Sequence, residues 1–168
     1  EDVAIFVHQG CTVRLSSSLF KYCYIYRHDG IVPDFINLNE NGNLYFTLPL
    51  GSGGKPFNLY LKVKGSNKQF HFLFFTVSNN ANIATSNKLL LTAGEQNLKI
   101  DIINTEQDGS DNTEWNVEVF NGNTGSKQEE SVTDNGSLNM ETSTWRKGLY
   151  VVRASSNDRV LSEKIILK

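Results

Sequence analysis

No stretch of the chain approaches the roughly 20 consecutive apolar residues that a helix needs to cross a bilayer. Nor does a charged segment followed by an apolar one open it; Glu1-Asp2-Val3 reads instead like the start of a mature fragment. Charge of one sign is lacking too, with 16 Lys and Arg against 18 Asp and Glu and a net charge of −2. Neutralising phosphates takes a large basic surface, so nucleic acid is excluded as a partner. Charged residues make up only 20 % and hydrophobic ones 39 %, the balance of a folded chain and not of a disordered one. Proline occurs three times, and apolar spacing of i, i+3, i+4 is nowhere sustained for a dozen residues. Almost no helix is expected.

Catalytic equipment is equally sparse. An enzyme needs a nucleophile with a base and an orienting group, a metal, or paired carboxylates in tuned surroundings. His8, His28 and His71 are scattered, without the H-E-x-x-H or His-x-His spacing that puts two imidazoles on one metal. They read as structural residues, His28 beside a turn and His71 inside an aromatic strand. No G-x-S-x-G elbow occurs. Gly51-Ser52-Gly53-Gly54-Lys55 lacks the G-x-x-x-x-G-K-[ST] spacing, and a strand-like segment follows where a phosphate site needs a helix N-terminus, so it reads as a loop between strands. The oxygen-rich segment Asp108 to Glu114 lacks the order of an EF-hand loop and reads as a solvated turn. No cofactor or metal is expected, and the chain reads as non-catalytic. Cys11 and Cys23 admit two readings. Outside the cytoplasm they could form a disulfide, contributing up to about 3 kcal/mol in the chain-entropy account; as free thiols, Cys23 would be part of a strand.

What the chain does have is punctuation. With 19 Asn and 13 Gly it is cut at short intervals, and the pieces between alternate apolar and polar residues. That is an all-β pattern. In the first half Phe57, Leu59, Leu61 and Val63 fall on one face of a strand, since a period of two gives one buried and one wet face. Phe70 to Val77 is apolar on both faces and reads as a central strand, entered through a hairpin loop at Gly65-Ser66-Asn67-Lys68. Val3 to His8, Thr12 to Leu15, Tyr22 to Arg27 and Asn43 to Leu48 supply the rest of a small sandwich, with turns at Asp29-Gly30 and Asn41-Gly42. The polar stretch Ser78-Asn79-Asn80-Ala81-Asn82 is where one domain, residues 1–82, is expected to give way to another, residues 83–168. The second half repeats the logic in Leu98 to Ile102, Trp115 to Val119, Leu138 and Met140, Leu149 to Ala154, and Val160 to Leu167, with tight turns at Asn121-Gly122 and Asn135-Gly136. The expected fold class is all-β: two small immunoglobulin-like antiparallel β-sandwich domains in tandem.

Three segments of the second half occur in a telling order: Trp115-Asn116-Val117-Glu118-Val119-Phe120 leading to Asn121-Gly122-Asn123-Thr124-Gly125, then Gly148-Leu149-Tyr150-Val151-Val152, then Lys164-Ile165-Ile166-Leu167-Lys168. Together they resemble the C-terminal sorting domains of the type IX secretion system of Bacteroidetes, over about residues 86–168. The resemblance implies a small immunoglobulin-like sandwich at the end of a longer exported protein, found at the cell surface or outside the cell. Its partners would be the secretion and anchoring machinery and the parent's N-terminal domains, the parent itself being a hydrolase, commonly a peptidase. Gly125, Gly148, Tyr150, Lys164 and Lys168 are the motif residues it carries over. The module departs from the family pattern in opening with Thr92-Ala93-Gly94-Glu95-Gln96-Asn97 where a Pro-Asn-Pro turn is usual. No family is identified for the first half.

Tyr22, Tyr24 and Tyr26 stand at a period of two and should share a face. Such a row suits the apolar faces of sugar rings, which makes the chain a candidate adhesion module for a glycan or a host protein; it suits sealing a module interface or a sheet edge equally well.

Overall fold

The computed structural model describes residues 4–31, 33, 35–49, 52–77, 87–104, 113–157 and 159–168, with only the backbone of Val77 and Asn104. The chain separates into two compact units, Glu1–Val77 and Ser78–Lys168. The polar stretch 78–82 and most of the oxygen-rich loop, 108–112, lie outside the described residues.

In the first unit the strands are β1 (Ala4–His8), β2 (Thr12–Ser16), β3 (Cys23–Gly30), β4 (Ile36–Leu38), β5 (Asn43–Thr47), β6 (Pro56–Val63) and β7 (Gln69–Val77), with a 3-10 turn at Ser18–Tyr22. One sheet has the order β1-β7-β6-β3 and the other β2-β5-β4. The second, fifth and fourth strands thus face the third, sixth and seventh, which is the immunoglobulin arrangement. Alternation in β6 does what its period requires: Phe57, Leu59 and Leu61 are fully buried between the sheets, and Tyr60 and Lys62 look outward half-buried. Phe46 of β5 meets them from the other sheet, its ring 5.2 Å from Phe57 and 5.0 Å from Phe74, both edge-on as ring quadrupoles prefer. β7 lies between β1 and β6 and is apolar on both faces: Phe74 enters the core, while Leu73 and Phe75 are buried on the opposite face, where Phe75 stacks on Phe6 at 5.7 Å. The β1–β7 pair is parallel, running from Ala4 opposite Leu73 to His8 opposite Val77. It joins the first and last strands of the unit, which no hairpin connects, and so it is not held to the antiparallel direction.

The second unit contains β8 (Asn87–Ala93), β9 (Asn97–Asn104), β10 (Trp115–Asn121), β11 (Lys127–Thr133), β12 (Ser137–Glu141), β13 (Gly148–Ser156) and β14 (Arg159–Leu167). Its sheets have the orders β11-β10-β13-β14 and β12-β9-β8. Here the fourth strand, β11, turns back on β10 instead of crossing to the other sheet as β4 does. Its sequence Lys-Gln-Glu-Glu is exposed along its length, as befits an edge strand that charge protects from further pairing. Trp115, Val117 and Val119 of β10, Tyr150, Val152 and Ala154 of β13, and Leu98 and Ile100 of β9 form the core.

Candidate functional site

Sequence pattern sets the end of β10. The Asn121 side-chain oxygen accepts from the backbone N–H groups of Asn123 at 2.8 Å and Thr124 at 3.2 Å, and the Gly125 N–H donates to the Asn121 carbonyl at 2.9 Å. Asn suits this place because its short amide reaches its own backbone two residues on. Gly125 closes the turn at φ +75°, a left-handed conformation that costs glycine nothing sterically. The turn lies against the entry to β13. Gly122 donates its N–H to the Leu149 carbonyl at 2.7 Å, and a Cβ there would stand 2.6 Å from Leu149 Cγ.

Gly148, at φ +134°, opens β13. Two residues on, Tyr150 is 1 % exposed, and its hydroxyl donates to the Arg146 carbonyl at 2.7 Å. This is a tyrosine corner, in which a ring at the start of the sixth strand ties down the chain that leads into it. Trp145 packs on the same ring with centroids 5.2 Å apart. Burial pushes the Tyr150 phenol above its usual pKa.

β14 pairs with β13 from Ser156 opposite Arg159 to Gly148 opposite Leu167. Leu161 and Leu167 are buried, while Lys164, opposite Val151, and Ile166, opposite Leu149, are exposed. Because Leu167 pairs with Gly148, Lys168 follows at the corner that holds Gly148 and Tyr150. Gly125, Gly148, Tyr150 and Lys168, spread over 44 residue numbers in the sequence, are therefore brought to one end of one sheet, while Lys164 lies midway along β14.

Sequence reasoning missed an ionic network on this sheet. Arg153 Nη1 donates to Glu118 Oε1 at 3.1 Å, Lys127 Nζ lies 2.9 Å from Glu118 Oε2 and 2.8 Å from Glu130 Oε2, and Asn116 donates to Glu130 at 3.1 Å. Glu118 and Glu130 are directly opposite in the β10–β11 ladder, an arrangement that like charges make unfavourable. Lys127 reaches between them. The Lys127 ammonium is held above its usual pKa by Glu130 and Glu118, and Lys127 with Asn116 holds the Glu130 carboxyl below its own. The alternation Trp115-Asn116-Val117-Glu118-Val119 signals that Glu118 leaves the core, though not which cation meets it.

In the first unit the three tyrosines are exposed but do not form one regular strand row. Tyr22 ends the 3-10 turn and is not in β3. A β-bulge follows: Ile25 pairs with Leu61 and Arg27 with Tyr60, so Tyr26 is the extra residue. A bulge re-aims the strand and sets two neighbouring side chains to one side. Tyr24 and Tyr26, 43 % and 47 % exposed, therefore share their surface with Arg27 and Lys62.

The remaining polar candidates lie apart. His71 stacks on Tyr60 at 4.5 Å and meets Asn58 Oδ1 at 2.8 Å, while His28 leans on Phe57 at 6.1 Å. Cys11 is exposed and Cys23 buried, both as free thiols, so the disulfide reading falls: Cys23 points into the core beside Phe20. Ser52 accepts from Lys55 N–H at 2.9 Å in a turn that leads into β6. Among the described residues no three His, Cys, Asp or Glu side chains gather as metal ligands, and no helix is long and apolar enough to cross a membrane.

Residues 77–168 match the model of a family described as the secretion system C-terminal sorting domain. The chain belongs to this family. As a sorting-domain protein it is exported, to the cell surface or beyond, its tail interacts with the secretion machinery, and that tail is a non-catalytic kind of domain. No curated protein matches the sorting-domain chain. Solved structures similar to it include the D00-D0 domain of intimin, at 11 % identity and TM-score 0.34 over 100 % of this chain and 96 % of that one. The adhesin InvE of Yersinia pseudotuberculosis is similar at 15 % identity and TM-score 0.32, over 99 % and 56 %. A fragment of Escherichia coli alpha-2-macroglobulin is similar at 15 % identity and TM-score 0.37, over 76 % and 40 %. Likenesses this loose say nothing about what the chain does.

Proposed function

We propose that residues 83–168 are the delivery signal of a longer exported bacterial protein and that residues 1–82 are a companion sandwich that spaces the signal from an N-terminal region. Residues 78–82 link the two. That N-terminal region is a hydrolase, a peptidase being the commonest expectation, and nothing in these residues names its substrate. The observation that carries the reading is the family match over residues 77–168. The corner where the Asn121–Gly125 turn, Gly148, Tyr150 and the end of β14 meet is the part the machinery reads, with Lys168 as its charged outer group and Lys164 further along the same strand.

Fractionation of the source cells with an antibody to residues 83–168, and intact mass of the surface and released forms, tests it. Retention inside the cell on deleting Lys164 to Lys168 supports a sorting signal. Unchanged export, with the tail kept on the mature surface protein, sinks it.

A second reading, adhesion to a glycan through the first unit, is favoured by the exposure of Tyr24 and Tyr26 beside cations on one sheet face.

A further inference from the structure

The outward face of β3 and β6 carries cations seated on aromatic rings. Tyr24 lies opposite Lys62, and the bulge at Tyr26 brings Arg27 opposite Tyr60. Lys62 Nζ stands 3.8 Å from the Tyr26 ring centroid and the Arg27 guanidinium 4.3 Å from that of Tyr60. At such distances the ring quadrupole attracts the cation. A Lys or Arg held in this way has already given up much of the rotamer freedom that binding a ligand would otherwise remove, so its charge is presented pre-organised. Lys64 extends the cations one step past β6, its backbone N–H on the Tyr22 carbonyl at 2.8 Å. Asp29 pairs with Arg27 at 3.1 Å in an exposed bridge of the kind that contributes little and yields to a competing anion.

The net result is local positive charge on a chain whose total is −2. Tyr24 differs from Tyr26 and Tyr60: among the described residues no cation sits over its ring, which is 43 % exposed. A flat ring left open and flanked by fixed cations matches a ligand that has apolar ring faces and carboxylates in regular alternation. A nucleic acid would call for many more cations than these three.

Building on the adhesion reading above, we propose that this face binds an acidic polysaccharide, a chain of uronic-acid sugars, with Tyr24 against a sugar ring and Lys62, Lys64 and Arg27 on its carboxylates. Arg27 offers a planar fork to a carboxylate, and the two lysines act as point charges. Binding weakens with salt, because exposed charges are screened.

The test is isothermal titration of the full chain with an oligogalacturonate, with its neutral galactan counterpart and with poly-glutamate, at low and at high salt. The expected result is binding of the oligogalacturonate alone, weakened about tenfold or more by Tyr24→Ala and again by Lys62→Gln with Lys64→Gln, in line with loss of a ring contact and of charge-assisted bonds. These are surface positions, and unchanged circular dichroism establishes that each variant is folded. Equal binding of the neutral galactan overturns the acidic class and leaves the adhesion reading standing. Binding of poly-glutamate that is indifferent to Tyr24→Ala overturns it in favour of an acidic peptide. No binding of any sugar overturns both this inference and adhesion through this face.

Discussion

The hydroxyl of Tyr150 donates to the carbonyl of Arg146 at 2.7 Å, so a buried ring four residues downstream fastens the chain that enters β13. Tyr150→Phe removes this bond and leaves the carbonyl without that donor. The expected cost is about 1–2 kcal/mol, and Tyr150→Ala, which also empties the core, costs about 3–5 kcal/mol. Both tryptophans, Trp115 and Trp145, belong to the same unit, so denaturant unfolding followed by tryptophan fluorescence reads it selectively. An unchanged midpoint in Tyr150→Phe would show that the corner is idle.

The same ring sets an alkaline limit. Burial raises the folded-state pKa of Tyr150 above the unfolded value of about 10, so the unfolded chain loses its proton first. Stability of the second unit is therefore intact below about pH 10 and falls as pH climbs through the folded value. The wild-type midpoint should drop across that window and the Tyr150→Phe midpoint should drop less. At the acid end Glu130, held low by Lys127 and Asn116, contributes above about pH 4.5 and loses that contribution as pH falls through its lowered value.

Arg153 is 7 % exposed and Glu118 8 %. Arg153→Met leaves Glu118 buried with Lys127 as its one cation among the described residues, for an expected loss of about 3–5 kcal/mol, whereas Arg153→Met with Glu118→Met puts an apolar pair in its place and recovers most of it. A double-mutant cycle on the fluorescence transition measures the coupling. Additive losses would mean the two charges do not depend on each other.

Gly122 has no room for a side chain beside Leu149. Gly122→Ala forces the turn away from β13 and should cost about 1–3 kcal/mol as an overpacked contact. Adding Leu149→Ala removes the clashing side-chain atoms, while the Leu149 carbonyl, 2.8 Å from such a Cβ, remains, so the second change restores stability only in part. Full stability of Gly122→Ala alone would contradict the packing.

Thiol titration separates the cysteines. One equivalent, Cys11, should react in the native protein, and Cys23, buried and with its thiol pKa raised by that burial, only after unfolding. No reaction even in denaturant would mean the two form a disulfide.

How far the fold was legible follows from the range of each signal. β6, β10 and β13 announce themselves because alternation is a property of neighbouring residues, and the turn at Asn121 to Gly125 because its hydrogen bonds close within five residues. β11, polar along its length, gives no such signal, and neither does the three-residue β4, which is held by pairing with β5. The resemblance named five residues one by one, but the meeting of Gly125, Gly148, Tyr150 and Lys168 at one end of a sheet depends on β13 and β14 pairing with Gly148 opposite Leu167.

By itself the sequence determined an all-β chain, the inward residues of its best strands and the family of its second half, since period-two alternation, turn chemistry and short motifs are written locally. The tertiary structure alone decided the parallel β1–β7 pair, the buried Glu118–Arg153 contact and the bulge that takes Tyr26 out of register and sets it under Lys62. Each of these is a matter of register between segments distant in the chain, and register is selected by the packing of both sheets together, which no single segment encodes.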